Sequence, residues 1–197
     1  LQLTAANPHH DSAAATVGTG SLFALSDGKG IFGHGGERIW IGAGLGVPQD
    51  WAQTSGIDWA DSTAARTALL REFADWSPAL TDLIRFCDDG IGARPIFALP
   101  VGHSWTRTPG VTLVGDAAHL MSPFAGAGAN LAMLDGVELA MALLKHGDVE
   151  AALTAYETGM FPRAAAAAEG SAMGQSLCFG PHAPRELVEF FTQMPVG

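Results

Sequence analysis

The sequence predicts a mixed fold of the α/β class, α+β within this stretch of chain. Three observations lead there. Between Val17 and Leu45, alternating apolar positions are separated by glycine-rich turns, as in an antiparallel sheet. After Ser62, apolar residues recur at helical spacing over much of the chain. "GVTLVG", Gly110 to Gly115, is a short continuous apolar run of the buried-strand kind, and it breaks at Gly115-Asp116 before a helix.

Taken in order, residues 1–14 read as a linker, polar and small, with Asn7-Pro8 and His9-His10. A strand is expected from Val17 to Leu25. A turn at Asp27-Gly28-Lys29-Gly30 leads to a second strand near Ile31-Phe32. "RIWIGAGL", Arg38 to Leu45, alternates as a third, completing a meander. Asp50 to Asp58 is irregular. Asp61 or Ser62 then caps a helix from Thr63 to about Trp76, with Ala65, Leu69, Leu70 and Phe73 on one face. Ser77-Pro78 opens another helix ending near Cys87, since Pro is tolerated in a first turn. "ARPIFALP", Ala93 to Pro100, reads as a strand, and Pro95 places it at an edge or a strand start. A helix from about Gly128 to Lys145-His146 stops at Gly147. Asp148 caps the next, which Pro162 is expected to kink or divide. A last helix spans about Pro184 to Gln193.

The chain has 197 residues, 48% hydrophobic and 15% charged, with a mean hydropathy of +0.20. That is enough to bury a core as one large or two small domains. The net charge is −10, which argues against nucleic acid and against anionic membranes as partners. Two cysteines, Cys87 and Cys178, are too few for a disulfide framework. They read as reduced, inert packing thiols in a cytoplasmic protein. No apolar run approaches the roughly 18 residues of a membrane span. The opening "LQLTAANPHHDSAAATVG" has neither the basic start nor the apolar stretch of a signal peptide.

Several patterns mimic functional sites. "GKGIFG", Gly28 to Gly33, matches G-x-G-x-x-G, but a strand precedes and follows it, so it reads as a hairpin turn. Asp116, His119 and Ser122 lie too close along one segment for a hydrolase triad, which needs a strained elbow and a separately oriented base. Asp116 and His119 lack a third metal ligand at a usable spacing. The five Trp read as core or pocket wall.

The loop after Gly115 carries the functional signal. Asp116 closes a strand, where its carboxylate can accept hydrogen bonds from sugar-like hydroxyls. Pro123 stiffens the loop. Gly126 and Gly128 lack side chains, so a flat ring can approach the backbone. The helix that follows presents unpaired N–H groups and about half a positive charge to that ring. A tightly packed strand–loop–helix with no ligand is the structural alternative.

"GDAAHLMSPFAGAGANLAMLDG" resembles the second flavin-binding motif of the group A FAD-dependent monooxygenases, the aromatic hydroxylases related to p-hydroxybenzoate hydroxylase. "FADWSPALTDLI", "ARPIFALP" and "AYETGMFPRAAAAAEGS" are similar to the same family, nearest to its tetracycline-inactivating members. The resemblance runs over about Val17 to Gln193. It implies FAD as cofactor, NAD(P)H as reductant, and O₂ and a small aromatic or polycyclic organic substrate as partners. It further implies hydroxylation through a flavin C4a-hydroperoxide, with the chemistry on the flavin and no catalytic side chain. Carried onto this chain, it places Gly115 and Asp116 at the cofactor, Asp116 on the ribityl chain. Pro123 stands at the reactive edge, and Gly126, Ala127, Gly128 and Asn130 line the pyrimidine side of the isoalloxazine. Trp40 and Phe124 are weaker candidates for the substrate pocket.

Three positions depart from the family motif: Ser122 for a Pro, Ala132 for a Gly, and Gly136 for an Ala. Of these, Ser122 is expected to loosen the loop. The family's opening dinucleotide fingerprint and its mid-chain Asp-Gly motif do not occur here. The resemblance therefore implies the C-terminal portion of such an enzyme. Residues 1–108 would belong to the substrate domain, 109–146 to the end of a Rossmann-like FAD domain, and 147–197 to a C-terminal helical region. The missing N-terminal half, or self-association, would supply the partner surface. The alternative function is a non-catalytic fragment or assembly module without flavin.

Overall fold

The computed structural model describes residues 1–193. The chain forms two compact units, Leu1–Pro95 joined by the chain from Leu177, and Ile96–Ser176.

The first unit is built on a four-stranded antiparallel sheet of order β1-β4-β3-β2, with β1 at Gln2–Thr4, β2 at Ser21–Ser26, β3 at Lys29–His34 and β4 at Arg38–Leu45. The last three are the expected meander. Asp27 and Gly28 both have positive φ, 51° and 70°, and Ser26 faces Lys29 across them. Two left-handed residues give the tight turn that matches strand twist. The literal G-x-G-x-x-G match is thus a hairpin and the strand after it.

Residues 1–14 are not a linker. They hold β1 and most of helix α1, His10–Val17, and the strand expected from Val17 begins only at Ser21. The physical reason is burial. Leu3, Ala13 and Val17 join the core, although α1 has no side-chain cap and little propensity to stand alone.

A short helix, α2 at Trp51–Thr54, occupies the stretch expected to be irregular. Helix α3, Ser62–Glu72, starts where the sequence placed it. Asp61 Oδ1 accepts the N–H groups of Thr63 and Ala64 at 2.8 and 3.3 Å. Helix α4, Pro78–Arg85, opens on its Pro. Together α3 and α4 lay Ala65, Leu69, Leu83 and Ile84 on Ile31, Ile39 and Ile41 of the sheet. The opposite sheet face is aromatic. Phe32 stands between Phe23 and Phe179, and a Cβ at Gly44 would lie 2.7 Å from the Phe179 ring. Helix α8, Arg185–Gln193, completes the described chain of this unit.

The second unit contains α5, Asp116–His119, a 3₁₀ turn at Pro123–Ala125, α6 at Gly128–Lys145, and most of α7, Val149–Phe179. Asp148 Oδ2 caps α7 through Ala151 N–H at 2.9 Å, as expected. Pro162 does not divide α7. Its neighbours Tyr156, Met160 and Ala164 are buried with Ala118, so tertiary packing holds both sides of the Pro in one helix.

Neither Ala93–Pro100 nor Gly110–Gly115 forms a strand. No described strand pairs with either. Their backbone groups find other partners: Leu99 N–H donates to Leu120 O at 2.8 Å, Arg107 donates to Val111 O at 2.6 Å, and the Tyr156 hydroxyl to Leu113 O at 3.2 Å. Val111, Leu113 and Val114 remain exposed, as do Ile96 and Phe97. The divisions expected at 108 and 146 do not coincide with the compact units. Glu157 of α7 accepts from Trp105 and Thr112 at 3.2 and 2.8 Å and pairs with Arg107, which ties residues on both sides of 108 to one helix. Among the described residues, no helix is long and apolar enough to cross a membrane.

Candidate functional site

The site is built where the extended run ends. Gly115 takes φ +60° and ψ −142°, a conformation that side-chain-bearing residues rarely adopt. A Cβ there would also lie 3.2 Å from the Cβ of Ala132. The chain therefore turns sharply against α6 and enters α5. Asp116, first in α5, is exposed, and its carboxylate has no partner among the described residues.

The loop then passes Ser122, which is buried. Its hydroxyl lies 2.7 Å from that of Ser171 on α7 and reaches Ser171 O at 3.2 Å, while the Ser171 hydroxyl donates to Ser122 O. Ser122 pins the loop rather than loosening it. The next residue, Pro123, is exposed and opens the 3₁₀ turn, with its carbonyl accepting Gly126 N–H at 3.0 Å. Phe124 is half-buried, and its backbone lies so close to α7 that a Cβ on Gly174 would be 2.8 Å from Phe124 O.

Gly126 is left-handed at φ +64°, ψ 16°, and Ala127 begins α6 with no side-chain cap. The first backbone bond of α6 runs from Leu131 N–H to Ala127 O, so the N–H groups of Gly128, Ala129 and Asn130 have no acceptor within the helix. Asn130 is exposed, and a Cβ at Gly126 or Gly128 would meet nothing within 4 Å. An uncapped, open helix start of this kind attracts negative charge.

Of the expected cofactor residues, Asp116, Pro123, Gly126, Ala127, Gly128 and Asn130 stand at the surface of one segment. Gly115 does not. It is buried, and its N–H points to Asp135 Oδ2 at 2.9 Å, so it shapes the turn from within. Phe124 belongs to the second unit. Trp40 lies on β4 of the first, 55% exposed, with the Arg38 guanidinium 5.6 Å from its ring centre.

Behind this surface lies a polar cluster absent from the sequence-based expectations. Asp135 on α6 is fully buried. Its Oδ2 is 2.7 Å from His119 Nε2, and its Oδ1 accepts from Arg163 at 3.1 Å. Arg163 also meets Glu138 at 2.6 Å. Burial pushes the Asp135 carboxyl up, but the Gly115 N–H, His119 and Arg163 outweigh it and hold it below the ordinary carboxylate range. His119 Nδ1 is buried without a partner among the described residues. The available signal was an acid in the middle of an apolar helix, a position that burial makes costly unless it is paired.

Residues 103–171 match the FAD binding domain family. The monooxygenase asqM of Emericella nidulans is 36% identical over 121 residues, 49% of this chain and 27% of that protein. The structure of Klebsiella pneumoniae HpxO complexed with FAD and uric acid superposes with a TM-score of 0.68 at 24% identity, covering 88% of this chain and 43% of HpxO. The tetracycline destructase Tet(51) shares the fold at 19% identity, with a TM-score of 0.56 over 88% of this chain and 47% of its own. The aligned stretch thus spans about a quarter of asqM, and the chain spans under half of these solved structures.

Proposed function

We propose that this chain, a relative of the FAD-dependent monooxygenases, supplies the isoalloxazine and ribityl side of an FAD site in a monooxygenase acting on a small organic substrate. One observation carries the reading: an uncapped start of α6, opened by Gly126 and Gly128, beside an exposed carboxylate with no described partner. When bound, FAD supplies oxygen activation and transfer to the substrate, with NAD(P)H as electron source.

The chain's own residues bind and orient. Asp116 accepts hydrogen bonds from ribityl hydroxyls. The N–H groups of Gly128, Ala129 and Asn130 would hold the pyrimidine side of the ring and would stabilise negative charge there. Pro123 and the 3₁₀ turn would hold the loop beside the cofactor's reactive edge, and Gly126, without a side chain, would leave room for the ring. No side chain acts as nucleophile or base in this reading. Phe124, in the second unit, is proposed to contact the substrate.

The surfaces fit a larger enzyme. Ile96, Phe97, Val111, Leu113 and Val114 are exposed on backbone outside any named helix or strand, and Met133, Val137, Met141 and Leu144 are exposed on α6. We assign these to contact with the rest of a longer protein. The second reading, a chain without flavin that self-associates, draws on the same exposed apolar residues.

The test is flavin binding. Purified protein titrated with FAD should quench flavin fluorescence, and Asp116→Ala should weaken binding by about tenfold or more, as lost charge-assisted hydrogen bonds do. A colourless oligomer whose titration is flat would favour the second reading.

A further inference from the structure

The placement of Asp135 in the site region calls for more than packing. A carboxylate with no exposure, set in an apolar helix, is strongly unfavourable unless every lone pair is used. Its donors are not scattered. Gly115 directly precedes Asp116, and His119 is the last residue of the four-residue helix that Asp116 opens. Both donate to the same oxygen, Oδ2, at 2.9 and 2.7 Å. The ring closes through the backbone, since Gly115 O accepts the N–H groups of Ala118 and His119 at 2.9 and 3.0 Å. One buried oxygen therefore grips both ends of α5. Arg163 fixes the other oxygen from α7 at 3.1 Å. A side chain at Gly115 would press on α6, since its Cβ would lie 3.2 Å from that of Ala132.

Among the described residues, the exposed acid in this clasp has no hydrogen-bond partner of its own to set its direction. We infer that Asp135 and His119 are positioning residues for Asp116: the buried carboxylate–imidazole clasp on Gly115 fixes where the Asp116 carboxylate points, toward the vicinal hydroxyls of a ligand's polyol chain. This rests on the FAD reading, in which those hydroxyls belong to the ribityl group. A pair that merely joined α5 to α6 would stabilise the fold without any special dependence on Asp116.

A double-mutant cycle separates the two. FAD dissociation constants are measured by flavin fluorescence for the wild-type chain, Asp116→Ala, Asp135→Asn and the double variant. Unfolding temperatures are recorded without FAD. We expect each single change to weaken FAD by about tenfold or more, and the double variant to bind within about threefold of Asp116→Ala alone, because Asp135 acts through a group already removed. The unfolding temperature should fall on Asp135→Asn equally in both backgrounds. Losses in FAD affinity that multiply would overturn the inference, as would unchanged affinity in Asp135→Asn when Asp116→Ala is impaired. If Asp135→Asn does not fold, His119→Gln is carried through the same cycle with the same two outcomes. Failure of the FAD reading looks different: the wild type does not bind FAD, or Asp116→Ala binds it as the wild type does.

Discussion

His119 Nε2 stands 2.7 Å from Asp135 Oδ2, with the two side chains only 3% and 0% exposed. Two donors from the ends of α5 and a third from α7 converge on this carboxylate. Asp135→Ala would leave a buried imidazole, a guanidinium and a backbone N–H without their acceptor. The expected loss is about 3–5 kcal/mol, the range for breaking a buried pair from one side. Urea unfolding should show it as a lower midpoint at unchanged slope.

The same cluster fixes a pH dependence. Against the push of burial, the bonds from Gly115, His119 and Arg163 hold the Asp135 carboxyl below its ordinary value in the folded chain. The unfolded chain titrates near about 3.9. The unfolded state therefore binds the proton first, and the stabilisation is complete above that value and is lost as pH falls through the lowered folded one. The stability gap between wild type and Asp135→Asn should be flat from pH 7 to about 5 and close below about 4. Urea titrations across that window measure it. A gap that closes between pH 7 and 6 would assign the effect to a different group.

Gly126→Ala tests the cradle. The left-handed backbone makes any side chain there cost about 1–2 kcal/mol, although the added methyl meets no protein atom. Gly110→Ala is the control, being left-handed at φ +73° with equally open surroundings. Both should lower the unfolding midpoint similarly. Only Gly126→Ala should weaken FAD, by about tenfold or more, because the methyl occupies space the ring would use. Equal FAD affinities would remove Gly126 from the site.

What the sequence could reveal followed from local rules. Arg38–Leu45 alternates, Asp27-Gly28 supplies two left-handed residues, and Asp61 precedes a helical stretch, so each element carries its own signal within a few positions. The loop proposed to meet the cofactor stood out for the same reason, since its glycines, Pro123 and Asp116 all lie on one segment. The misses are tertiary. Helix α1 has no cap and is held by the burial of Ala13 and Val17 in a core assembled from distant strands and helices. "VTLVG" has the composition of a strand, but a strand needs a neighbour, and none is described beside it. In the Asp135 cluster, Gly115 and His119 lie 20 and 16 positions away within the quoted motif, but how α5 meets α6 decides that they bond to Asp135, and Arg163 joins from 28 positions on.

The pin between the loop and α7 gives a last test. Ser122 and Ser171 are both buried, at 4% and 1% exposure. The Ser171 hydroxyl donates to Ser122 O, while the Ser122 hydroxyl has Ser171 Oγ or Ser171 O as acceptors. Ser171→Ala removes the only described donor to that carbonyl and should cost about 1–3 kcal/mol. Ser122→Pro should cost less, under about 1 kcal/mol. The backbone at 122 already has φ −64° and ψ 156°, which suits a Pro and a residue preceding Pro123. Its N–H makes no described hydrogen bond, and its carbonyl remains for Ser171. Chemical denaturation ranks the two variants. If Ser122→Pro proved the more damaging, the Ser122 hydroxyl rather than its carbonyl would be what holds the loop to α7.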